Sequence, residues 1–234
     1  MQRDVQPELL DSLPPAAPQA LASRADLRRL NRLMGHAGIL AQALRRRHAA
    51  PGHSPRPLRL VELGAGDGTL LLRLAHPLAA AGVNADVTLV DTQDLVSAQT
   101  RAAFARLDWS VNCVAADVFC WLDQAAPAVD VMLANLFLHH FTDIQLVRLL
   151  RLAAARTNLF LACEPRRSPL ALTASSLLGF IGCNDITRHD ARVSVRAGFA
   201  GHDLSALWPA DGAWELGEHP AGCFSHCFSA QRHV

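Results

Sequence analysis

From residue 58 onward, short apolar runs of strand length alternate with stretches whose apolar positions recur at helical spacing. Leu58 to Leu63, Asp86 to Asp91, Val111 to Ala115, Val129 to Ala134 and Asn158 to Cys163 read as strands. Between them Gly68 to Ala81, Asp94 to Leu107, a short piece near Val118 to Leu122, and Thr142 to Ala155 read as helices. Successive β-then-α units of this kind predict an α/β fold with a parallel, doubly wound sheet and helices on both faces. After Cys163 the rhythm changes. Leu170 to Leu178 and His202 to Leu207 have helical character, and the last runs, Trp214 to Glu218 and Phe224 to Gln231, are joined by Pro220, Ala221 and Gly222 as a closing antiparallel hairpin.

The first 57 residues follow other rules. Residues 1–22 are rich in Pro and Ala without an apolar period, which predicts a mobile arm. Residues 23–48 form a helical cap in this reading: Asp26 caps it, and Leu27, Leu30, Leu33, Met34 and, past Gly35 and Gly38, Leu40 and Leu44 give its apolar face. Arg45, Arg46 and Arg47 close it with charge that suits a helix C-terminus. Residues 49–57 hold three prolines and a glycine and read as a linker, which leaves 58–234 as the main domain.

Composition narrows the chemistry. Half of the 234 residues are hydrophobic, enough for a sizeable core, and 22 basic against 21 acidic residues leave a formal charge of +1, with none of the basic footprint that nucleic acid requires. Every basic residue is Arg. Without Lys the chain can form neither a Schiff base nor a P-loop phosphate clamp. The acidic, proline-containing start does not resemble a signal peptide, and the longest uncharged stretch, Ser168 to Asn184, is too short and mixed for an integral membrane segment. That stretch reads as an apolar pocket wall. A cytoplasmic location with reduced cysteines follows.

The segment Leu60-Val-Glu-Leu-Gly-Ala-Gly-Asp-Gly-Thr69 places Gly64, Gly66 and Gly68 between the first strand and its helix, where backbone N–H groups can approach a ligand. A dinucleotide fingerprint wants its third glycine where Thr69 stands, which weakens a nicotinamide oxidoreductase reading. The pattern, an acid at Glu62 followed by Gly-x-Gly-x-Gly, resembles motif I of the class I S-adenosylmethionine-dependent methyltransferases. Other landmarks fall where that family has them. The resemblance implies a Rossmann-like fold and S-adenosylmethionine as cofactor, with Glu62 facing its ammonium, Asp91 its ribose, Asp117 and the adjoining Val118 its adenine, and Asn135 and Leu136 its methionine end.

The tract Leu138-His-His-Phe-Thr-Asp143 resembles a Leu-His-His-Phe stretch of quinone-biosynthesis methyltransferases and the Leu-His-Asp-Trp-Ser-Asp stretch of plant-type O-methyltransferases, whose first His is the general base. By that likeness His139 is the base, while His140 stands where the plant enzymes have Asp, so the partner that orients the base must come from elsewhere. His189, in the polar lid-like cluster Asn184 to Asp190, is the alternative base, and His140, Glu164 and Arg166 are candidate acceptor contacts. The tail's Gly-Cys-Asn, Arg-His-Asp and Ser-Val-Arg-Ala-Gly-Phe resemble bacterial tailoring methyltransferases of polyketide or phenolic-lipid pathways. Cys223, His226 and Cys227 do not make a metal site if they lie on a strand, because Cys223 and Cys227 are then too far apart to share an ion. The expected activity is methyl transfer to a small, largely apolar acceptor, at an aromatic hydroxyl or an activated ring carbon, in secondary or lipid metabolism. The alternatives are a catalytically silent cofactor- or protein-binding relative and an NAD(P)-dependent oxidoreductase. A second copy of the chain is a further partner left open.

Overall fold

The computed structural model describes residues 1–47, 56–124 and 128–233, so most of the predicted linker, 49–57, lies outside the described residues. Strands β1 (Leu58–Leu63), β2 (Ala85–Asp91), β3 (Ser110–Ala115), β4 (Val129–Asn135) and β5 (Thr157–Pro165) are parallel, and β6 (Trp214–Ala221) and β7 (Ser225–Arg232) add an antiparallel pair. The order across the sheet is β3-β2-β1-β4-β5-β7-β6. Every residue of β4 is buried, as its unbroken apolar run requires of a central strand covered on both faces.

Alternate residues of these strands feed two cores. Val61, Leu63, Met132, Phe160 and Phe228 pack against Trp121, Leu146, Leu149 and Trp208, which come from helices α5 (Val118–Asp123) and α6 (Asp143–Ala154) and the residue after α9 (Asp203–Leu207). On the other face Leu60, Val131, Leu133 and Leu161 meet Leu40, Leu44, Leu71, Leu74 and Phe104 of helices α2 (His36–Arg47), α3 (Thr69–Ala79) and α4 (Ala98–Ala105). The predicted cap helix thus supplies core residues of the sheet domain itself. The chain reverses direction around β1, whose neighbours are β2 and β4, and ligands of open parallel sheets bind at the carboxyl ends of strands at such a switch point.

The N-terminal expectations need correction. Helix α1 runs Pro18–Met34, eight residues ahead of Asp26, with Pro18 at its first turn and Gly35 closing it at φ 70°. Asp26 caps a different helix. Its Oδ2 accepts from the Asn184 N–H (2.9 Å) and the Thr187 hydroxyl (3.2 Å) at the start of α8 (Asp185–Ala197). Where sequence suggests a mobile arm, residues 3–12 lie against α6 and α8, held by contacts of Arg3, Glu8, Leu9 and Leu10. The polar lid-like cluster at 184–190 is the first part of α8, with Asn184 accepting from the Thr187 N–H as N-cap. Ser168 to Asn184 is no buried wall: α7 (Pro169–Ser176) and the turn after it expose Leu170, Leu177, Phe180 and Ile181.

Candidate active site

The glycine loop links β1 to α3, and its three glycines do different work. A side chain at Gly64 would stand 2.2 Å from the Phe137 ring, and one at Gly68 would stand 2.8 Å from Leu89, so both allow close packing. Gly66, at φ 54°, faces open space, which is the cradle a ligand backbone contact needs. Its N–H donates to Asp91 Oδ2 (2.9 Å), and Gln93 N donates to Oδ1 (3.0 Å). A carboxylate offers about four lone-pair sites, so Asp91 can hold this loop and still accept from a ribose diol. Ala65, Asp91, Val96, Cys113 and Ala115 line a narrow recess beside it. A larger recess of about 400 Å³ lies by the C-terminal half of α6, lined by Arg151, Trp208 and Pro209, away from the strand carboxyl ends.

Two orphaned polar atoms mark the neighbouring end of the crevice. Glu62 is 2% exposed, and among the described residues neither its Oε2 nor the Oδ1 of buried Asn135 has a hydrogen-bond partner. Burial, with the like charges of Asp67 and Asp91 behind it, holds the Glu62 carboxyl well above the usual carboxylate range. An ammonium group placed here would meet both oxygens and reverse that shift. Beside them His36 is fully buried, its Nε2 2.8 Å from Ser225 Oγ, and burial lowers it to about 4, so it is neutral. Asp117 also N-caps α5, its Oδ1 accepting from Phe119 N and Cys120 N, with Val118 buried behind it. The chain's donor and acceptor set therefore fits S-adenosylmethionine: a carboxylate pair for the ammonium and ribose, an open glycine between them, and a capped turn at the adenine end.

After β4, Leu136 adopts φ 49°, unusual for a branched residue, and turns the chain into the short 3₁₀ turn Leu138–His140. Glu164, wholly buried at the end of β5, organises this turn. Its Oε1 accepts from Phe137 N (3.0 Å) and Leu138 N (2.9 Å), and its Oε2 lies 2.8 Å from His139 Nδ1. This is the orienting partner of the histidine that the sequence pattern lacked next door. Glu164, read from the sequence as a candidate acceptor contact, is thereby taken up inside the fold. On its other side His139 Nε2 faces Glu8 Oε1 at 3.3 Å. Burial alone would lower the His139 pKa, but hydrogen bonds to Glu164 and then Glu8 outweigh it and push it up to about 9.

The remaining candidates separate. His140 sits beside His139, half-buried, with Nδ1 3.5 Å from Asp11. Burial, then the positive His139, lower its pKa. Arg166 clasps the β6–β7 turn, its N–H donating to Phe224 O (2.8 Å) and its guanidinium reaching Gly222 O (3.4 Å). His189 pairs with its neighbour, Nδ1 3.0 Å from Asp190 Oδ1, but its side chain is 43% exposed. Glu8, His139 and His140 bring ligand-type atoms within 4.8 Å of one another. The two imidazoles stand 4.3 Å apart between ring centroids and 32° from parallel. Glu8 had no signal in the sequence, being a lone polar residue in a segment without a motif, while Asp190 and Ser194 stand in the quoted Arg-His-Asp and Ser-Val-Arg-Ala-Gly-Phe stretches with nothing to single them out.

The fold and the glycine loop define the class I S-adenosylmethionine-dependent methyltransferases. Residues 60–158 match the family described as Methyltransferase domain. No curated protein matches the sequence. Among solved structures, an O-methyltransferase family protein from Burkholderia thailandensis is 17% identical with a TM-score of 0.58, over 92% of this chain and 58% of that one. The N,N-8-amino-8-demethyl-D-riboflavin dimethyltransferase RosA from Streptomyces davawensis is 19% identical with a TM-score of 0.59, over 97% and 62%. The plantazolicin methyltransferase BamL, solved with a triazolic desmethylPZN analog and S-adenosylhomocysteine, is 9% identical with a TM-score of 0.64, over 96% and 93%. The chain thus spans about three fifths of the length of the first two. Among the described residues no helix is long and apolar enough to cross a membrane.

The cofactor site carries one direct prediction. Asp91→Ala removes a charged acceptor from both the loop and a bound ribose, and should weaken S-adenosylhomocysteine about ten- to a hundredfold in calorimetry while the protein stays folded.

Proposed function

We propose that this chain methylates a hydroxyl of a small, largely apolar, aromatic acceptor, with His139 as the general base. The observation that carries the reading is the buried Glu164–His139 pair just past the carboxyl end of β4, which fixes the imidazole by its Nδ1 and leaves Nε2 facing Glu8, the carboxylate of the N-terminal segment. S-adenosylmethionine supplies, when bound, a sulfonium methyl that is already electrophilic. The chain's tasks are then positional and protonic. Glu62, Asp91 and Asn135 would hold the donor, the Phe137 to His140 turn would place the base, and His139 Nε2 would take the proton of the acceptor's hydroxyl. Glu164 keeps the proton on Nδ1, so Nε2 is the basic nitrogen of the neutral ring.

The oxidoreductase alternative is separated by ligand-dependent melting. S-adenosylhomocysteine at a hundredfold excess over its dissociation constant should add about 2.7 kcal/mol of stability, and NAD should add none. A shift with NAD alone would overturn the cofactor assignment. A catalytically silent binding module is separated by methyl transfer to a panel of phenols.

A further inference from the structure

Residues 3–11 run beside His139 and His140 and are fastened to the fold at several points. The Arg3 guanidinium donates to the carbonyls of Ala197 (2.8 Å) and Phe141 (2.8 Å), pairs with Asp143 (2.6 Å), and lies over the Phe199 ring. Asp4 N donates to Arg196 O, and Leu9 N and Leu10 N donate to the two oxygens of Asp190 (2.8 and 3.0 Å). Between these anchors Glu8 points inward. Its Oε1 accepts from Ser194 Oγ and faces His139 Nε2.

His139 Nε2 is the atom to which an acceptor must present its hydroxyl, so Glu8 stands in the acceptor's place. We propose that residues 2–12 form a displaceable strap whose Glu8 carboxylate mimics the acceptor, and that the acceptor replacing it is an acidic hydroxyl, a phenol or an enol, whose proton passes to His139 Nε2 so that it is held there as its anion. This rests on the reading of His139 as the acceptor-facing base. Two arguments set the charge. Withdrawing Glu8 leaves a buried imidazole ion-paired to Glu164 with an unfilled N–H, and a buried donor that loses its charged partner discriminates strongly against a neutral replacement. The strap also takes Asp11 with it, so two carboxylates leave the vicinity of His139 and His140 together, and the emptied site becomes receptive to one negative charge.

The test compares wild type with Glu8→Gln, both saturated with S-adenosylhomocysteine, using 4-nitrophenolate as anionic probe and 4-nitroanisole as its neutral counterpart. Glu8→Gln keeps the shape of the side chain and removes its charge. If the strap withholds the site, the variant should bind 4-nitrophenolate about tenfold more tightly than wild type, since apparent affinity scales with the open fraction. The same factor applies to 4-nitroanisole, but in both proteins the anion should bind more tightly than its neutral counterpart. In wild type, 4-nitrophenolate should speed hydrogen exchange at the Leu9 and Leu10 amides that Asp190 now holds. Equal affinities in the two proteins, 4-nitroanisole bound as tightly as 4-nitrophenolate, no binding of the anion by either protein, or probe binding with Leu9 and Leu10 still protected would each overturn the proposal. Loss of S-adenosylhomocysteine binding would instead strike the methyltransferase reading, and the exchange rates of Leu9 and Leu10 without cofactor report on the strap independently of it.

Discussion

Replacing His139 with glutamine lowers turnover about a hundred- to ten-thousandfold, the usual cost of losing a general base, and leaves S-adenosylhomocysteine affinity unchanged. Glutamine keeps a donor for Glu164 and so preserves the turn, but it cannot accept a proton. Single-turnover methyl transfer to an accepted phenol, followed against pH, decides the matter. Wild type should show a rising limb where the imidazole loses its proton, and the variant should lack it. His189→Ala is the control, because that residue pairs with Asp190 on the exposed side of α8. If both variants turn over at the wild-type rate, the acceptor atom needs no base, and methylation of an already nucleophilic ring carbon becomes the better account.

The largest effect on stability is expected at Glu164. Glu164→Gln strips the charge from a fully buried carboxylate that serves two backbone amides and an imidazolium, and breaking such a pair should cost about 3–5 kcal/mol in urea unfolding. The pH dependence follows from the signs. His139 titrates ordinarily near 6.5 and is raised to about 9 in the fold, so its contribution is complete below 6.5 and is lost as pH rises through 9. Glu164 is lowered from 4.5, and Glu8 from 4.5 to about 2; for both, hydrogen bonds to His139 overcome burial, and their contributions are complete above 4.5 and are lost in acid. Wild type should therefore lose stability between pH 6.5 and 9, and Glu164→Gln should flatten that decline. An unchanged slope in the variant would show that the two groups are not coupled.

The parallel core was legible because a central strand covered on both sides leaves no choice of residue. Val131-Met-Leu-Ala-Asn135 and the run ending at Cys163 could be read as strands from their apolar continuity alone. Helix α8 was not, for a physical reason. Its buried face includes Thr187 and Asp190, polar side chains satisfied by Asp26 and by the amides of Leu9 and Leu10, so its sequence lacks the apolar period that marks a helix. Asp26 misled in the same way, since an acid before an apolar period looks like a cap for its own helix and here serves one 158 residues away. The cofactor positions were visible because a strand, a tight turn and a helix follow one another within ten residues. Glu8 was invisible because nothing local determines what a carboxylate in a proline-rich segment will meet.

The docking of residues 3–12 onto α6 and α8 also orders events during synthesis. Arg3 bonds Ala197 and Leu9 bonds Asp190, separations of 194 and 181 residues. At about 5–20 residues per second a ribosome needs roughly 10–40 s to make the partners of a segment it has already released. During that interval Arg3, Glu8, Leu9 and Asp26 lack their partners on α8, and the β1 to β5 units, whose contacts are nearer in sequence, can form without them. Residues 3–12 are thus made early and completed late, and a nascent chain stalled before residue 190 would lack the α8 half of their anchorage.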